Sequence, residues 1–340
     1  MTRFDVPLSA RPALIARWLF ICAAFILLMV VIGGVTRLTE SGLSIVEWKP
    51  LSGAIPPLND AEWQAEFAHY KTSSQFALMN SQMTLDGFKH IFFWEYLHRL
   101  IGRLVGIVFG LPLVWFAIKR KIPRALLGRL VLLFILGGAQ GGIGWLMVAS
   151  GLKNRINVEP VMLAAHLTMA LLLLAAILWT ALDCRDGQRV RLTPFAALAI
   201  ATLAVQIIFG ALTAGLRAGQ VSNTWPLMNG YVFPRGVNWG QGLGKALVND
   251  PFLVAFIHRW WAWVAVVMMI LLARKVRRIN RKASIAVHVA FGTQVLLGIA
   301  TVLNGVWLPL AALHQLVGVL TLCACVWAAH VLGRSALQKG

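Results

Sequence analysis

His98, His166, His258 and His314 stand in apolar stretches, each seven residues after a plausible helix start at Ile91, Glu159, Pro251 or Trp307. At about 1.5 Å per residue, each lies roughly 10 Å into its helix, so all four share one level. Neutral imidazole is a common metal ligand, and two facing imidazoles suit the axial positions of haem iron. A single membrane histidine is more often an interhelical hydrogen-bonding group. Four at equal depth point instead to two bis-histidine haem sites. Zinc fits less well, because structural zinc takes four ligands and neither Cys nor an acidic cluster completes the set. His69, His90, His288 and His330 lack this pattern and are expected to be structural or solvated.

Glu95 precedes His98 by three residues, which puts both on one helix face. An ionisable group inside a span is expensive and marks function by default; the alternative is a stabilising ion pair with Arg99 or Arg103. Arg99 and Arg259 each follow the first histidine of a pair. They are candidates for haem propionates, with interhelical pairing or snorkelling to the interface as the alternative.

An internal repeat pairs these residues. "GGVTRLTESGLS" at 33–44 is echoed by "GALTAGLRAGQVS" at 210–222, and Trp48-Lys-Pro-Leu by Trp225-Pro-Leu. His98-Arg99 answers His258-Arg259, Gln140 answers Gln294, and His166 answers His314. The repeat also exposes a difference. Ala255 stands where the first half has Glu95, Trp263 where it has Arg103, and the second half reads "HRWWAWV". One site is therefore expected to be apolar and aromatic, suiting a retained electron-transfer haem; the other carries a carboxylate and suits reaction.

Long apolar runs must position these groups. The chain of 340 residues is 59% hydrophobic and 13% charged, whereas about a quarter of a soluble domain's residues are charged. Eight runs, at 18–35, 91–118, 130–152, 161–182, 194–216, 251–273, 283–303 and 306–332, are each long enough to span a bilayer as a helix. The expected fold is an all-α polytopic membrane protein. Its eight transmembrane helices form two pseudo-two-fold related four-helix bundles, 1–183 and 184–340. The outer loops 37–90 and 217–250 are expected to cap them.

The net charge of +19 follows the membrane. Segments 1–17, 119–129, 183–191, 274–282 and 333–340 hold 19 Lys and Arg residues, against 9 in the longer opposite segments. That asymmetry places both termini in the cytoplasm and the histidines near the periplasmic side, and argues against nucleic acid as a partner. Cys22, Cys323 and Cys325 fall in spans and Cys184 in a cytoplasmic loop, so no structural disulfide is expected. No C-x-x-C-H occurs for covalent haem attachment.

The motifs "GGVTRLTESGLSIVEWKPLSGAIPPLN", "EYLHRLIGRLVG", "GGAQGGIGWLMVASGL", "NTWPLMNG", "NDPFLVAFIHRWWAWV" and "LHQLVGVL" resemble the haem A synthase family, of the proteobacterial and mitochondrial type, from about residue 18 to 330. The resemblance implies oxidation of the C8 methyl of haem O to the formyl group of haem A, for terminal oxidases, in two successive steps. It implies a substrate haem on His98 and His166, a haem b cofactor on His258 and His314, and a functional glutamate at Glu95, for which proton transfer is the first role expected. Some bacterial members carry a cysteine pair in each outer loop. This chain has none there, which leaves its electron donor unidentified. The haem O synthase that makes the substrate is an expected membrane partner, the inner membrane is the expected location, and homo-oligomerisation stays open. The competing reading is a dihaem b-type membrane electron-transfer cytochrome, which accounts for the four histidines but gives the Glu95/Ala255 difference no purpose.

Overall fold

In a computed structural model of the chain, residues 10–49, 52–152 and 155–338 are described, and among them the fold is entirely helical apart from one isolated bridge, Met228 to Tyr231. The expected inner positions of 1–9 and 339–340, and Pro50-Leu51 of the first outer loop, lie outside the described residues.

Eight helices are long and apolar enough to cross a membrane: α1 (Pro12–Leu38), α4 (Leu85–Ile118), α5 (Arg124–Leu152), α6 (Pro160–Asp186), α7 (Pro194–Gly215), α9 (Pro251–Arg277), α10 (Arg281–Leu303) and α11 (Leu308–Leu337). Three short ones, α2 (Asp60–Lys71), α3 (Ser74–Met79) and α8 (Leu243–Asn249), belong to the outer loops. This is an integral membrane protein, and the eight spans coincide with the eight apolar runs. Their ends are set by local chemistry. Thr84, Glu159, Thr193, Asp250 and Asn280 each cap a helix by accepting a backbone N–H of its first turn. Proline opens α1, α6, α7 and α9, where a missing N–H costs nothing.

Most helices extend past the apolar runs by a turn or more, α1 starting at Pro12 and α5 at Arg124, and two of the extensions bear on the site and the cysteines. The second span starts at Leu85 rather than Ile91, because the Thr84 cap adds turns that pack on α2. The fourth runs on to Asp186, so Cys184 lies buried in its last turn and not in a loop.

Each half supplies four long helices. α1 packs on α4 and α6, α7 on α9, and α10 on α9 and α11. α11, the most buried span, also touches α1, α6 and α7, so the halves meet around it. α5 and α10 lie outermost, with Ile135 and Leu296 turned outward. Polar ties join the halves where apolar packing is no stronger than packing against lipid. The Gln315 side chain donates to the Val30 carbonyl (2.7 Å), and Arg37 donates to that of Gly215 (3.2 Å). At the inner end, fully buried Asp183 accepts from Arg129 (2.7 Å), from the Val190 amide (3.0 Å) and pairs with His330 (3.0 Å), while Arg334 holds Asp186 (2.9 Å).

The loops 37–90 and 217–250 pack over the helix ends. Over the first half, Phe67, Tyr70, Phe88 and Phe92 form a buried aromatic cluster between α2 and the start of α4. Over the second, Phe233 packs against Phe256 and stacks on Trp239.

Candidate functional site

Each of the four histidines sits on the second helix of a hairpin, and its ring lies against a glycine of the first. A Cβ on Gly33 would come within 2.9 Å of His98; on Gly144, within 2.8 Å of His166; on Gly210 and Gly298, within 2.9 Å of His258 and His314. Only glycine leaves room for an imidazole this close to a helix backbone. The hairpins are α1/α4, α5/α6, α7/α9 and α10/α11.

Four residues before three of these glycines stands a glutamine. Gln140 reaches His166 Nδ1 (3.1 Å) and donates to its carbonyl (2.9 Å); Gln206 does the same at His258 (3.1 and 3.0 Å); Gln294 meets the His314 ring (3.3 Å). Gln206 was not singled out in the sequence. The spacing Gln-x-x-x-Gly, found at 140–144, 206–210 and 294–298, was the signal for it.

The His258 and His314 ring centroids are 6.4 Å apart and their planes lie at 87°. Two metal–imidazole bonds of roughly 2 Å each, plus about 1 Å from each nitrogen to its ring centre, span about 6 Å. His98 and His166 stand on α4 and α6, both of which pack on α1. Among the described residues no group of three or more His, Cys, Asp or Glu could hold a metal ion. Donors that come in pairs suit a metal that brings its own equatorial ligands, as haem does. The glutamines fit as well. The Oε1 atoms of Gln140, Gln206 and Gln294 are buried without a partner. An imidazole ligating through Nε2 carries its proton on Nδ1 and needs an acceptor there, which a half-turn of the Gln140 and Gln206 carboxamides would supply; Gln294 meets His314 at Nε2 instead (3.3 Å).

The two sites differ at their outer rims. Arg99 donates to the carbonyls of Ile45 (2.9 Å) and Glu47 (3.3 Å). Arg259 donates to the equivalent carbonyls of Ser222 (2.6 Å) and Thr224 (2.9 Å). Both arginines thus tie an outer loop to the helix that carries a histidine. In the first half Glu95, only 2% exposed, receives Arg99 on Oε1 (2.6 Å) and Ser44 Oγ and the Ile45 amide on Oε2 (2.7 and 2.9 Å). In the second, Val221 and Ala255 take the places of Ser44 and Glu95 and join an apolar cluster with Met228 and Ala218. Of the two ion pairs the sequence allowed, Glu95 makes the one with Arg99; Arg103 donates to the Lys49 carbonyl (2.9 Å). The aromatic second-half site takes a different form too: Trp260 and Trp263 are exposed, and the apolar lining comes from Ala255 and its neighbours. A small cleft between Arg99, Trp48 and Trp145 opens at the outer rim of the first half.

Of the other histidines, His330 is buried in the inner ionic network, His288 bonds the Ser284 carbonyl (2.9 Å), and His69 lies 3.6 Å from Glu47. That Glu47 carboxyl is held below its usual range by the Lys49 ammonium, 2.7 Å away.

Residues 16–326 match the family described as "Cytochrome oxidase assembly protein". Among curated relatives, the heme A synthase of Novosphingobium aromaticivorans is 51% identical over 94% of this chain and 95% of its own length. That of Sphingopyxis alaskensis is 49% identical over 96% and 94%, and that of Caulobacter vibrioides 45% over 93% and 94%. With matches of this identity running almost end to end, this chain belongs to the haem A synthase family of cytochrome oxidase assembly proteins.

Proposed function

We propose that the chain oxidises the C8 methyl of haem O to the formyl group of haem A. The substrate haem is held in the first half, residues 1–183, by His98 and His166. A haem b is held in the second half, residues 184–340, by His258 and His314. The observation carrying this division is the exchange of Ser44 and Glu95 for Val221 and Ala255 within otherwise matching histidine frames. The apolar site suits a haem that stays and passes electrons. The site with the buried carboxylate suits one that reacts.

When bound, haem b supplies one-electron transfer. The chain's own residues do the rest. His98 and His166 orient the substrate ring. Arg99 pins the backbone of residues 45–47 over it, excluding water from the outer side, and presents its remaining N–H groups toward the rim cleft for a propionate. Arg259 has the same part in the second half. Each oxidation of the methyl carbon, with dioxygen as the oxidant and two electrons from the separate donor, takes up two protons and releases one water. Glu95, the only carboxylate buried near this level among the described residues of the first half, is assigned as the group that accepts these protons and passes them on.

The charge asymmetry of the loops supports the bacterial inner membrane with both termini cytoplasmic and the haem sites toward the periplasm. A haem O synthase delivering its apolar product within the bilayer is the natural partner, with a separate electron donor.

Haem extraction and chromatography from cells that make haem O, with and without this chain, test the reading. Haem A should form only with the chain and fall away, or stop at an alcohol, in Glu95→Ala. Unchanged haem O, beside a purified protein that still holds two haems, would replace the synthase with an electron-transfer cytochrome.

A further inference from the structure

Three of the four histidines meet a glutamine; His98 does not. The residue at the Gln206 position of the first hairpin, four before Gly33, is Met29, whose methyl lies against the α4 backbone, 3.2 Å from where a Cβ on Gly102 would be. Among the described residues, none hydrogen-bonds the His98 ring. The ring is also turned differently. Measured to where a Cβ would stand on the facing glycine, His166, His258 and His314 each place Cε1 at 2.8–2.9 Å and Nε2 farther off at 3.6–3.8 Å, whereas His98 places Nε2 at 2.9 Å from that point on Gly33. In His98 a ring nitrogen is the atom turned against the α1 backbone; in the other three it is the carbon Cε1.

We propose that Met29 makes His98 the releasable ligand. With no amide to fix its tautomer and orientation, the ring swings between the iron and the Gly33 face, so the first half exchanges its haem while the second half retains its own. A hydrogen bond to the distal ring nitrogen strengthens a histidine ligand and fixes its direction. Met offers only a weak thioether acceptor. This inference rests on the reading of His98 and His166 as ligands of the substrate haem, and gives that site what a retained-cofactor site must not have, a way to let the product go. Met29 is thus a positioning residue that acts through His98.

The test uses the full-length chain, purified and loaded with haem, and follows haem transfer to excess apoglobin. Histidine-to-alanine variants of one half isolate the signal of the other. In Met29→Gln, loss from the first half should slow by roughly 10–100-fold, with the absorption spectrum moving toward the low-spin form of the second-half site. Gln206→Met should speed loss from the second half by a similar factor, and Met29→Leu, equal in size but without an amide, should leave the rate unchanged. If Met29→Gln behaves as Met29→Leu while His98→Ala still empties the first half, the inference fails and the substrate-site reading stands. If His98→Ala loses no haem, both fall.

Discussion

Gly298→Ala puts a single methyl where the His314 ring now lies. The added Cβ would come within 2.9 Å of His314 Cε1 and 3.5 Å of Nδ1. Carbon atoms settle at about 3.5–4.0 Å, so the ring must retreat by roughly 0.6–1 Å. Backing off also draws the ring away from Gln294, which stands one turn before Gly298 on the same helix and meets the ring at 3.3 Å. Positional tolerance at a ligand site is about 0.5 Å, and overpacking of this kind costs about 1–3 kcal/mol. Charged to the bound state, that weakens haem binding by a factor of about 5–150. Gly141→Ala supplies the control. It lies on α5 with nothing within 4 Å of its Cβ position, and gains helix propensity. The assay is haem content per purified chain, read by reduced pyridine complex, together with affinity by titration. Gly298→Ala should lose the second-half haem while Gly141→Ala keeps both. If Gly298→Ala bound haem as tightly as the parent, the close approach of glycine to imidazole would not be what builds the site.

Asp183→Ala leaves Arg129 and His330 facing a buried gap, and should cost about 3–5 kcal/mol in thermal or denaturant unfolding; a shift of under 1 kcal/mol would make the inner network incidental. Glu95→Ala strands Ser44 and Arg99, whereas Ser44→Val with Glu95→Ala installs the apolar pair of the second half. The double variant should recover about 1–3 kcal/mol of stability relative to Glu95→Ala while still making no haem A, and recovery of product would remove Glu95 from the chemistry. Gln140→Leu keeps the packing but deletes the amide on His166, and should weaken first-half haem binding about 10–100-fold in a titration; equal affinity would deny the glutamines a part in ligation.

The spans and the four histidines were legible because hydrophobic runs and a repeated His-Arg survive as one-dimensional pattern. The start of α4 was not, since the Thr84 cap, a polar signal, lies outside the apolar run that was counted. Glu95 stood out as a charge in an oily helix, but its partners Ser44 and Ile45 come from a loop some 50 residues away, and no local spacing encodes that contact. Gln206 was missed because a single polar residue in an apolar helix carries meaning only beside its two counterparts, Gln140 and Gln294. The same holds for Met29, whose significance is the absence of an amide. The tryptophans of α9 misled in the other direction: composition located them near His258, but only helix phase decides that Trp260 and Trp263 turn outward.

The glycine–histidine hairpin occurs four times, not twice, and one hairpin alone contributes one ligand. A haem with two axial histidines therefore needs a pair of hairpins, and the present chain is two such pairs joined end to end. Four like hairpins in one chain are what two rounds of duplication of a two-helix unit would leave, with two sites free to diverge. Once the copies shared a chain, Met29 and Glu95 could differ from Gln206 and Ala255 without the symmetry of a homodimer copying every change into both sites.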